Sequence, residues 1–188
     1  MVEEFLKLKN EANQRMDKTI QFFKDELKKV RTGRATVGMI EDIRFDYYGV
    51  STPIKQAASL STPDPHTIVI DPWDKSILKA IEKGIVESGL KFNVTNDGKV
   101  IRINIPPLTE ETKKEYIKKA KELGEEAKIA IRNERRDINE KIKKFSKEGH
   151  ISEDEEKKEF DEIQKVTDAH IKLIDELVAK KEKEIMEV

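Results

Sequence analysis

The stretch N-I-P-P-L-T-E-E, residues 104 to 111, decides the fold, because the sequence pattern changes from strand to helix within it. Leading into it, V-I-R-I-N-I alternates apolar and polar side chains with the period of two that is typical of a β-strand. After the two prolines, Thr109 followed by two glutamates is a typical helix start, and apolar residues then recur every three or four positions. The sequence therefore predicts a domain boundary between Ile105 and Pro106.

Three segments of the chain have the apolar period of amphipathic helices, one within residues 1–30 and two within residues 106–188. The second helix is expected to run about 40 residues, or roughly 60 Å at the rise of an α-helix. Gly149 stands where it should stop, and Ser152 with Glu155 predicts a capping box at the start of the third helix. Three apolar stripes predict an elongated three-helix bundle built from residues 1–30 and 106–188.

Residues 31–105 have a different pattern and are predicted to form a small inserted β/α/β domain, which makes the fold class α+β. Strand-like patterns occur in I-E-D-I-R-F-D-Y-Y, in T-I-V-I-D-P and on both sides of the turn Asn96-Asp97-Gly98, which predicts a hairpin. A helix is expected to open at Asp71-Pro72 and to close at Gly89.

Two short links join this insert to the bundle, R-T-G-R-A at its start and N-I-P-P at its end. Domains linked in this way reorient unless their interface is large and apolar. A rigidly docked insert is an equally good interpretation, because the sequence does not reveal that interface. The candidate hinge residues are Thr32, Gly33, Arg34, Ala35, Asn104, Ile105, Pro106 and Pro107.

The composition suits long, solvated helices, since 40% of the 188 residues are charged and 36% are hydrophobic. The net charge of -1 conceals an uneven distribution. Residues 106–150 carry 13 Lys and Arg against 10 Asp and Glu, whereas residues 151–188 carry 7 against 13. The second helix is therefore basic and the third is acidic.

Several classes of protein are disfavoured by what the sequence lacks. The absence of cysteine excludes disulfides, thiol nucleophiles and cysteine-ligated zinc. No apolar run approaches the roughly 20 residues that cross a bilayer, and the acidic start M-V-E-E is not that of a signal peptide. We therefore expect a cytoplasmic protein without membrane contact.

Catalytic and metal-binding motifs are also missing from the sequence. His66, His150 and His170 lack metal-ligand spacing, and no glycine-rich phosphate loop, nucleophile elbow or zinc motif occurs. His170 lies on an apolar stripe and is expected to pack there, and Trp73 is expected to pack in the small core of the insert. We predict no catalytic residue, no metal and no cofactor, and hence a protein that is not an enzyme.

The segment I-A-I-R-N-E-R-R-D-I, residues 129–138, places three arginines side by side on one helix. Arg132 and Arg135 have no carboxylate three or four residues away, and Arg136 has only Glu140. Removing the charge of Arg132 or Arg135 should therefore cost the helix little. The face continues as a basic stripe through Lys121, Lys128 and Lys143.

Two interpretations of this stripe remain open. The acidic third helix could neutralise it within the bundle. Alternatively, the stripe binds a polyanion from outside, because planar guanidinium groups recognise phosphate better than lysine does. The nearly neutral net charge disfavours indiscriminate nucleic-acid binding and favours a target of defined shape.

The sequence resembles the bacterial ribosome recycling factors over essentially its whole length. The resemblance rests on several motifs in the right order, which are K-V-R-T-G-R-A at 29–35, D-Y-Y-G-V-S-T-P at 46–53, N-I-P-P-L-T-E-E at 104–111, I-A-I-R-N-E-R-R-D at 129–137, I-S-E-D at 151–154 and I-Q-K-V-T-D at 163–168. Two positions depart from the family pattern. Glu134 replaces an aliphatic residue in the apolar stripe, which implies altered packing or a position at the bundle's edge, and Ser51 replaces a proline and should loosen one turn.

This resemblance implies an L-shaped molecule with a mobile inserted domain. It implies a monomer that acts in protein biosynthesis, after translation termination. Such a factor enters the post-termination 70S ribosome and acts with elongation factor G and GTP to split the subunits and release the mRNA. It also implies that Arg132, Arg135 and Arg136 face large-subunit ribosomal RNA. We further predict RNA contacts for Lys128 and Lys143 of the basic stripe and for Arg31 and Arg34, which match the R-T-G-R-A motif of the family. The competing class is a helical scaffold or coiled-coil adaptor whose charged stripes bind another protein.

Overall fold

In the computed structural model the chain is described for residues 2–187, except for the side chain of Val2, and it forms two compact units. Residues 2–31 and 110–187 make the first unit, and Thr32–Thr109 make the second, where the insert was expected at 31–105. Residues 1 and 188 of the predicted bundle lie outside the described residues. Each unit has an apolar core of its own.

Four α-helices account for most of the chain. They are α1 (Val2–Lys28), α2 (Leu78–Glu87), α3 (Glu110–Lys147) and α4 (Glu153–Met186). The helices α1, α3 and α4 pack against one another as the predicted three-helix bundle. Helix α3 has 38 residues, close to the predicted length. The expected capping box opens α4, where the Ser152 hydroxyl accepts from the Glu155 N–H and the Glu155 carboxylate accepts from the Ser152 N–H.

Small and apolar side chains set the spacing of the bundle. Ile131, Ile138 and Ile142 of α3 are almost completely buried between the helices. At Gly124 the helices α3 and α4 approach so closely that a Cβ atom would lie 2.7 Å from Cγ2 of Val178. A side chain at this position would therefore force Val178 to shift.

Two polar residues within the bundle form hydrogen bonds between helices. The buried His170 of α4 packs as expected, with Nδ1 2.7 Å from the carbonyl of Val166 and Nε2 2.7 Å from a carboxylate oxygen of Asp17 in α1. Glu134 of α3 is half-buried and accepts a hydrogen bond from Thr19 of α1. The departure at Glu134 therefore falls at the contact between α1 and α3, where the carboxylate has a polar partner.

The insert contains six strands. They are β1 (Arg44–Tyr47), β2 (Val50–Pro53), β3 (Ala58–Asp64), β4 (Thr67–Pro72), β5 (Asn93–Asn96) and β6 (Ile101–Asn104). Strands β1 and β2 form a separate hairpin, and the others form an antiparallel sheet in the order β3-β4-β6-β5. The patterns of β1, β4, β5 and β6 are visible in the sequence, whereas those of β2 and β3 are not, because both are largely polar and contain proline.

The elements of the insert correct two details of the sequence analysis. Residues Asp71 and Pro72 end strand β4, and the helical segment begins later, where the carboxylate of Asp74 accepts from the Ser76 N–H at 2.9 Å ahead of a short 3₁₀ turn. Ser51 lies in strand β2 opposite Asp46, so the missing proline falls in a strand and not in a turn.

Trp73 does not pack in the core, because 70% of its surface is exposed. In β4 the buried residues are Ile68, Ile70 and Pro72, which alternate along the strand. The next residue along the chain points to the opposite face. The expectation of a packed tryptophan was therefore wrong, since the alternation in T-I-V-I-D-P already assigned Trp73 to the solvent side.

Candidate nucleic-acid interface

Two of the three clustered arginines lie exposed in the middle of α3. Arg132 and Arg136 are one helical turn apart on the solvent side, whereas Ile131 and Ile138 lie buried behind them. Within residues 2–187 neither guanidinium forms a hydrogen bond or an ion pair. Ile129, with 55% of its surface exposed, precedes Arg132 by one turn. This part of α3 therefore presents unpaired positive charge beside a small apolar surface.

The lysines of the predicted stripe are arranged differently, because α4 supplies carboxylates to them. Lys121 pairs with Glu182 at 3.5 Å. Lys128 pairs with Asp175 and, at 3.2 Å, with Glu125, and only 15% of its side chain is exposed. The pKa of Lys128 is raised, mainly by its hydrogen bond to Asp175. Neutralisation by the acidic helix therefore applies to these two lysines.

Arg135 occupies an intermediate position between the exposed arginines and the buried core. It is half-buried, and its Nη1 donates to Oε1 of Gln164 in α4 at 2.8 Å. Its Nε is buried, with no hydrogen-bond partner among the described residues. The Gln164 side chain in turn donates from Nε2 to Asp168 at 2.8 Å. Arg135 is thus held by a neutral amide and keeps its charge.

The carboxylate expected to pair with Arg136 has another partner. Oε1 of Glu140 accepts from Lys143 at 2.9 Å, and both side chains are exposed. Lys143 is therefore partly neutralised, and Arg136 is left without a carboxylate of its own within the described part of the chain.

The arginines of the R-T-G-R-A motif fall in different units. Arg31 ends the first unit and Arg34 belongs to the second. Both are exposed, and the side chain of neither has a hydrogen bond or an ion pair between residues 2 and 187. Gly33 between them is buried and has a φ of 76°, a left-handed conformation that favours glycine.

Part of the predicted hinge is fixed within the insert. The N–H of Ala35 donates to the carbonyl of Pro65 at 2.7 Å, and the N–H of Ile105 donates to the carbonyl of the next residue, His66, also at 2.7 Å. Asn104 belongs to strand β6. We call the hydrogen-bonded residues Ala35 and Ile105 the anchors of the insert. Of the eight candidate hinge residues, Thr32–Arg34 and the two prolines lie outside these anchors.

Comparison with known families identifies the family of this chain. A family model described as ribosome recycling factor matches residues 23–186, which include Arg31, the whole insert and all of α3. The chain belongs to the ribosome recycling factor family. The resemblance drawn from the sequence motifs is thereby confirmed, together with the α+β fold class.

Individual ribosome recycling factors match over nearly the full length. That of Clostridioides difficile (strain 630) is 52% identical over 183 residues, which are 97% of this chain and 99% of that protein. A solution structure of the ribosome recycling factor covers 100% of both chains at 41% identity and a TM-score of 0.77. A T. thermophilus ribosome recycling factor, described with E. coli elongation factor G bound to the E. coli post-termination complex, is 43% identical. That match covers 96% of this chain and 98% of the other, with a TM-score of 0.63.

Sequence reasoning missed Gln164 and Asp168, which lie behind the arginine cluster of this ribosome recycling factor. They stand four residues apart on α4, a spacing that brings side chains together on a helix, and both belong to the I-Q-K-V-T-D motif. That spacing was a usable signal, but the partner helix and its register cannot be read from one helix alone. Between residues 2 and 187 there is no helix long and apolar enough to cross a membrane and no cluster of three potential metal ligands.

Proposed function

We propose that this ribosome recycling factor binds the post-termination ribosome and, with elongation factor G and GTP, promotes its dissociation into subunits and its release from mRNA. Family membership supports this proposal, and so does the likeness to a recycling factor described with elongation factor G on the post-termination complex. The sequence contains no glycine-rich phosphate loop of its own, so the proposal assigns GTP hydrolysis to elongation factor G.

The observation that carries the proposal is the contrast between the lysines and the arginines of α3. Carboxylates of α4 pair with Lys121 and Lys128, while Arg132 and Arg136 remain exposed and unpaired within the described residues. A structural role would require partners inside the bundle. Guanidinium groups without such partners suit the phosphates of large-subunit ribosomal RNA, where each contact releases counterions.

The other predicted RNA-binding residues are expected to contribute differently, according to whether their charges are already paired. Arg31 and Arg34 are exposed and unpaired in the described chain, so we include them as phosphate contacts. Lys143 shares its charge with Glu140 and contributes less. Lys128 is mostly buried in ion pairs, so we assign it to the stability of the bundle and no longer to RNA.

Motion of the insert completes the proposal. We place the flexible links at Thr32–Arg34 and Pro106–Thr109, because Ala35 and Ile105 are hydrogen-bonded to the body of the insert. Units that are joined by two short links are able to reorient as bodies. Such reorientation would let the bundle stay on the large subunit while the partner factor moves the insert.

The proposal is tested by splitting purified post-termination complexes and following light scattering. The wild-type chain should split them only when elongation factor G and GTP are both present. Arg132→Ala with Arg136→Ala should bind large subunits more weakly and with a shallower salt dependence. Lys121→Ala is the matched control on the same helix, because its charge is already paired with Glu182.

The contradicting results are equally definite. Rapid and complete splitting by the chain alone would contradict the role of elongation factor G. Unchanged affinity of the double arginine variant for large subunits would contradict the RNA-binding face, and an adaptor of another protein would not sediment with large subunits at physiological salt.

A further inference from the structure

The side chain of Gln164 connects the arginine cluster of α3 to a carboxylate of α4. Its Oε1 accepts from Nη1 of Arg135 at 2.8 Å, and its Nε2 donates to Oδ1 of Asp168 at 2.8 Å. Gln164 is half-buried and Asp168 is exposed. The three side chains form one hydrogen-bonded chain that ends at the surface of the bundle.

The chemistry of the two neighbours allows only one orientation of this amide. A guanidinium group can only donate hydrogen bonds, and an ionised carboxylate can only accept them. The amide oxygen must therefore face Arg135, and the amide nitrogen must face Asp168. Both ends of Gln164 are engaged by charged groups, so the side chain has little freedom to leave Arg135.

The kind of partner separates Arg135 from the lysines of the same helix. Where α4 contacts Lys121 and Lys128, it does so with the carboxylates of Glu182 and Asp175. Where it contacts Arg135, it presents a neutral amide, and the carboxylate of Asp168 stands one side chain further away. A carboxylate on the guanidinium would cancel most of the field that attracts phosphate, whereas an amide orients the group and leaves its charge in place.

We propose that Gln164 is a positioning residue for RNA binding, which fixes Arg135 toward a phosphate group of ribosomal RNA without neutralising it, and that Asp168 holds Gln164 in that role. The proposal rests on the RNA-binding face proposed above. It adds that the side chains of α4 determine which cations of α3 remain available to bind phosphate. The buried Nε of Arg135, which lacks a partner among the described residues, shows that the bundle does not satisfy this guanidinium fully.

The decisive variant exchanges the order of amide and carboxylate. Gln164→Glu combined with Asp168→Asn keeps the net charge and the number of side-chain hydrogen bonds. A glutamate at position 164 would accept from Arg135, and an asparagine at position 168 would donate to that glutamate. Only the location of the negative charge changes: it moves from position 168, which does not contact Arg135, to position 164, which does. Thermal unfolding should therefore remain at the wild-type temperature.

Affinity for purified large ribosomal subunits is then measured across a series of salt concentrations. We expect the exchanged variant to bind roughly three- to tenfold more weakly and to lower the slope of log affinity against log salt by about one, as expected for one lost phosphate contact. In the background of Arg135→Ala the exchange should have no further effect, because the two changes act through the same contact. Gln21→Glu combined with Asp25→Asn exchanges a second amide and carboxylate that stand four residues apart, on α1, so it is the matched control and should leave the affinity unchanged.

The outcomes separate this inference from the proposed function. Wild-type affinity and salt slope in the exchanged variant, with Arg132→Ala and Arg135→Ala still weakened, would overturn the role of Gln164 and leave the RNA face standing. Wild-type affinity in all the arginine variants would overturn the RNA face and the inference together. A loss of affinity that persists in the Arg135→Ala background would also overturn it, because Gln164 would then act without Arg135.

Discussion

Thr19 of α1 donates a hydrogen bond of 2.6 Å to Oε1 of Glu134 in α3, at the carboxylate that interrupts the apolar stripe of the longest helix. The second oxygen, Oε2, is buried and has no partner among the described residues. Arg15 lies nearby, and its pKa is raised, first by a hydrogen bond to Asp137 and also by the charge of Glu134. The carboxylate therefore depends strongly on a single hydroxyl.

We predict that Thr19→Val lowers the free energy of unfolding by about 1–3 kcal/mol, because it leaves the half-buried Glu134 carboxylate without a hydrogen bond among the described residues. Combining Thr19→Val with Glu134→Leu should recover most of this loss, since an apolar pair of similar size carries no desolvation penalty. Denaturant unfolding of the two variants measures the difference. Equal stability of wild type and Thr19→Val would show that the hydrogen bond is not required.

Acid should weaken one contact between α1 and α4. Glu162 accepts from Lys165 and, at 2.9 Å, from Lys9, and these hydrogen bonds lower its pKa to about 2. Its pKa in the unfolded chain is higher, about 4.3. The contribution of the ionised carboxylate to stability is thus fully present above about pH 4.3 and is lost as the pH falls toward about 2.

We therefore expect Glu162→Gln to melt below the wild type at neutral pH, and the gap in melting temperature to close between about pH 4.3 and pH 2. Scanning calorimetry over this range measures it. Lys9→Met in the Glu162→Gln background should have little further effect, because its partner is then already uncharged. A gap that is constant with pH would contradict the assignment.

The close approach of α3 and α4 at Gly124 predicts that a larger residue there destabilises the bundle. Alanine usually stabilises a helix interior relative to glycine, but here its Cβ would lie 2.7 Å from Val178. We expect Gly124→Ala to destabilise the bundle by about 1–3 kcal/mol, as overpacked cores do. Val178→Ala should rescue it. Gly38→Ala, which meets nothing within 4 Å, is the control and should be close to neutral.

The arginines of α3 should differ in what their removal does to stability. Arg132 has no partner in residues 2–187, so Arg132→Ala should melt like the wild type. Arg135→Ala should cost about 1 kcal/mol, because it removes the hydrogen bond to Gln164. The shift in melting temperature should then be about 2–4 °C. Equal melting of both variants would contradict the contact with Gln164.

The proposed links make a prediction about motion. Glycine insertions after Gly33 and after Pro107 lie outside the anchors at Ala35 and Ile105, so both units should keep their structure while their relative orientations broaden. Residual dipolar couplings of the free protein measure this. One fixed orientation, unchanged by the insertions, would exclude a hinge at these links.

The sequence predicted the long helices well, because their apolar stripes and the capping box at Ser152 are local signals. It predicted the insert only in part. Strand β3 was not predicted because it is largely exposed and polar. Its pairing with β4 is decided by backbone hydrogen bonds, which side-chain patterns do not reveal. Trp73 was misplaced for the opposite reason, since residue type was given more weight than the alternation of the preceding strand.

The candidate site shows a similar division. The absence of carboxylates near Arg132 within its own helix was visible in the sequence, and the structure adds none from other helices in the described residues. The pairing of Lys128 with Asp175 was not visible, because it depends on the register between α3 and α4. The contact of Arg135 with Gln164 was missed for the same reason, because it also depends on the register between α3 and α4.

The anchors at Ala35 and Ile105 bear on how the chain folds. Both N–H groups bond to consecutive carbonyls, at Pro65 and His66, so a single turn holds the beginning and the end of the insert side by side. For an unfolded insert, bringing α1 to α3 would mean closing a loop as long as Thr32–Thr109. Each doubling of a flexible loop costs about 0.6 kcal/mol, so an insert that folds first and leaves only two short links lowers the closure cost by about 2 kcal/mol. The bundle would then assemble as though its first two helices were neighbours in sequence, and refolding of α1 onto α3 should slow when Ala35→Pro removes one of these anchors.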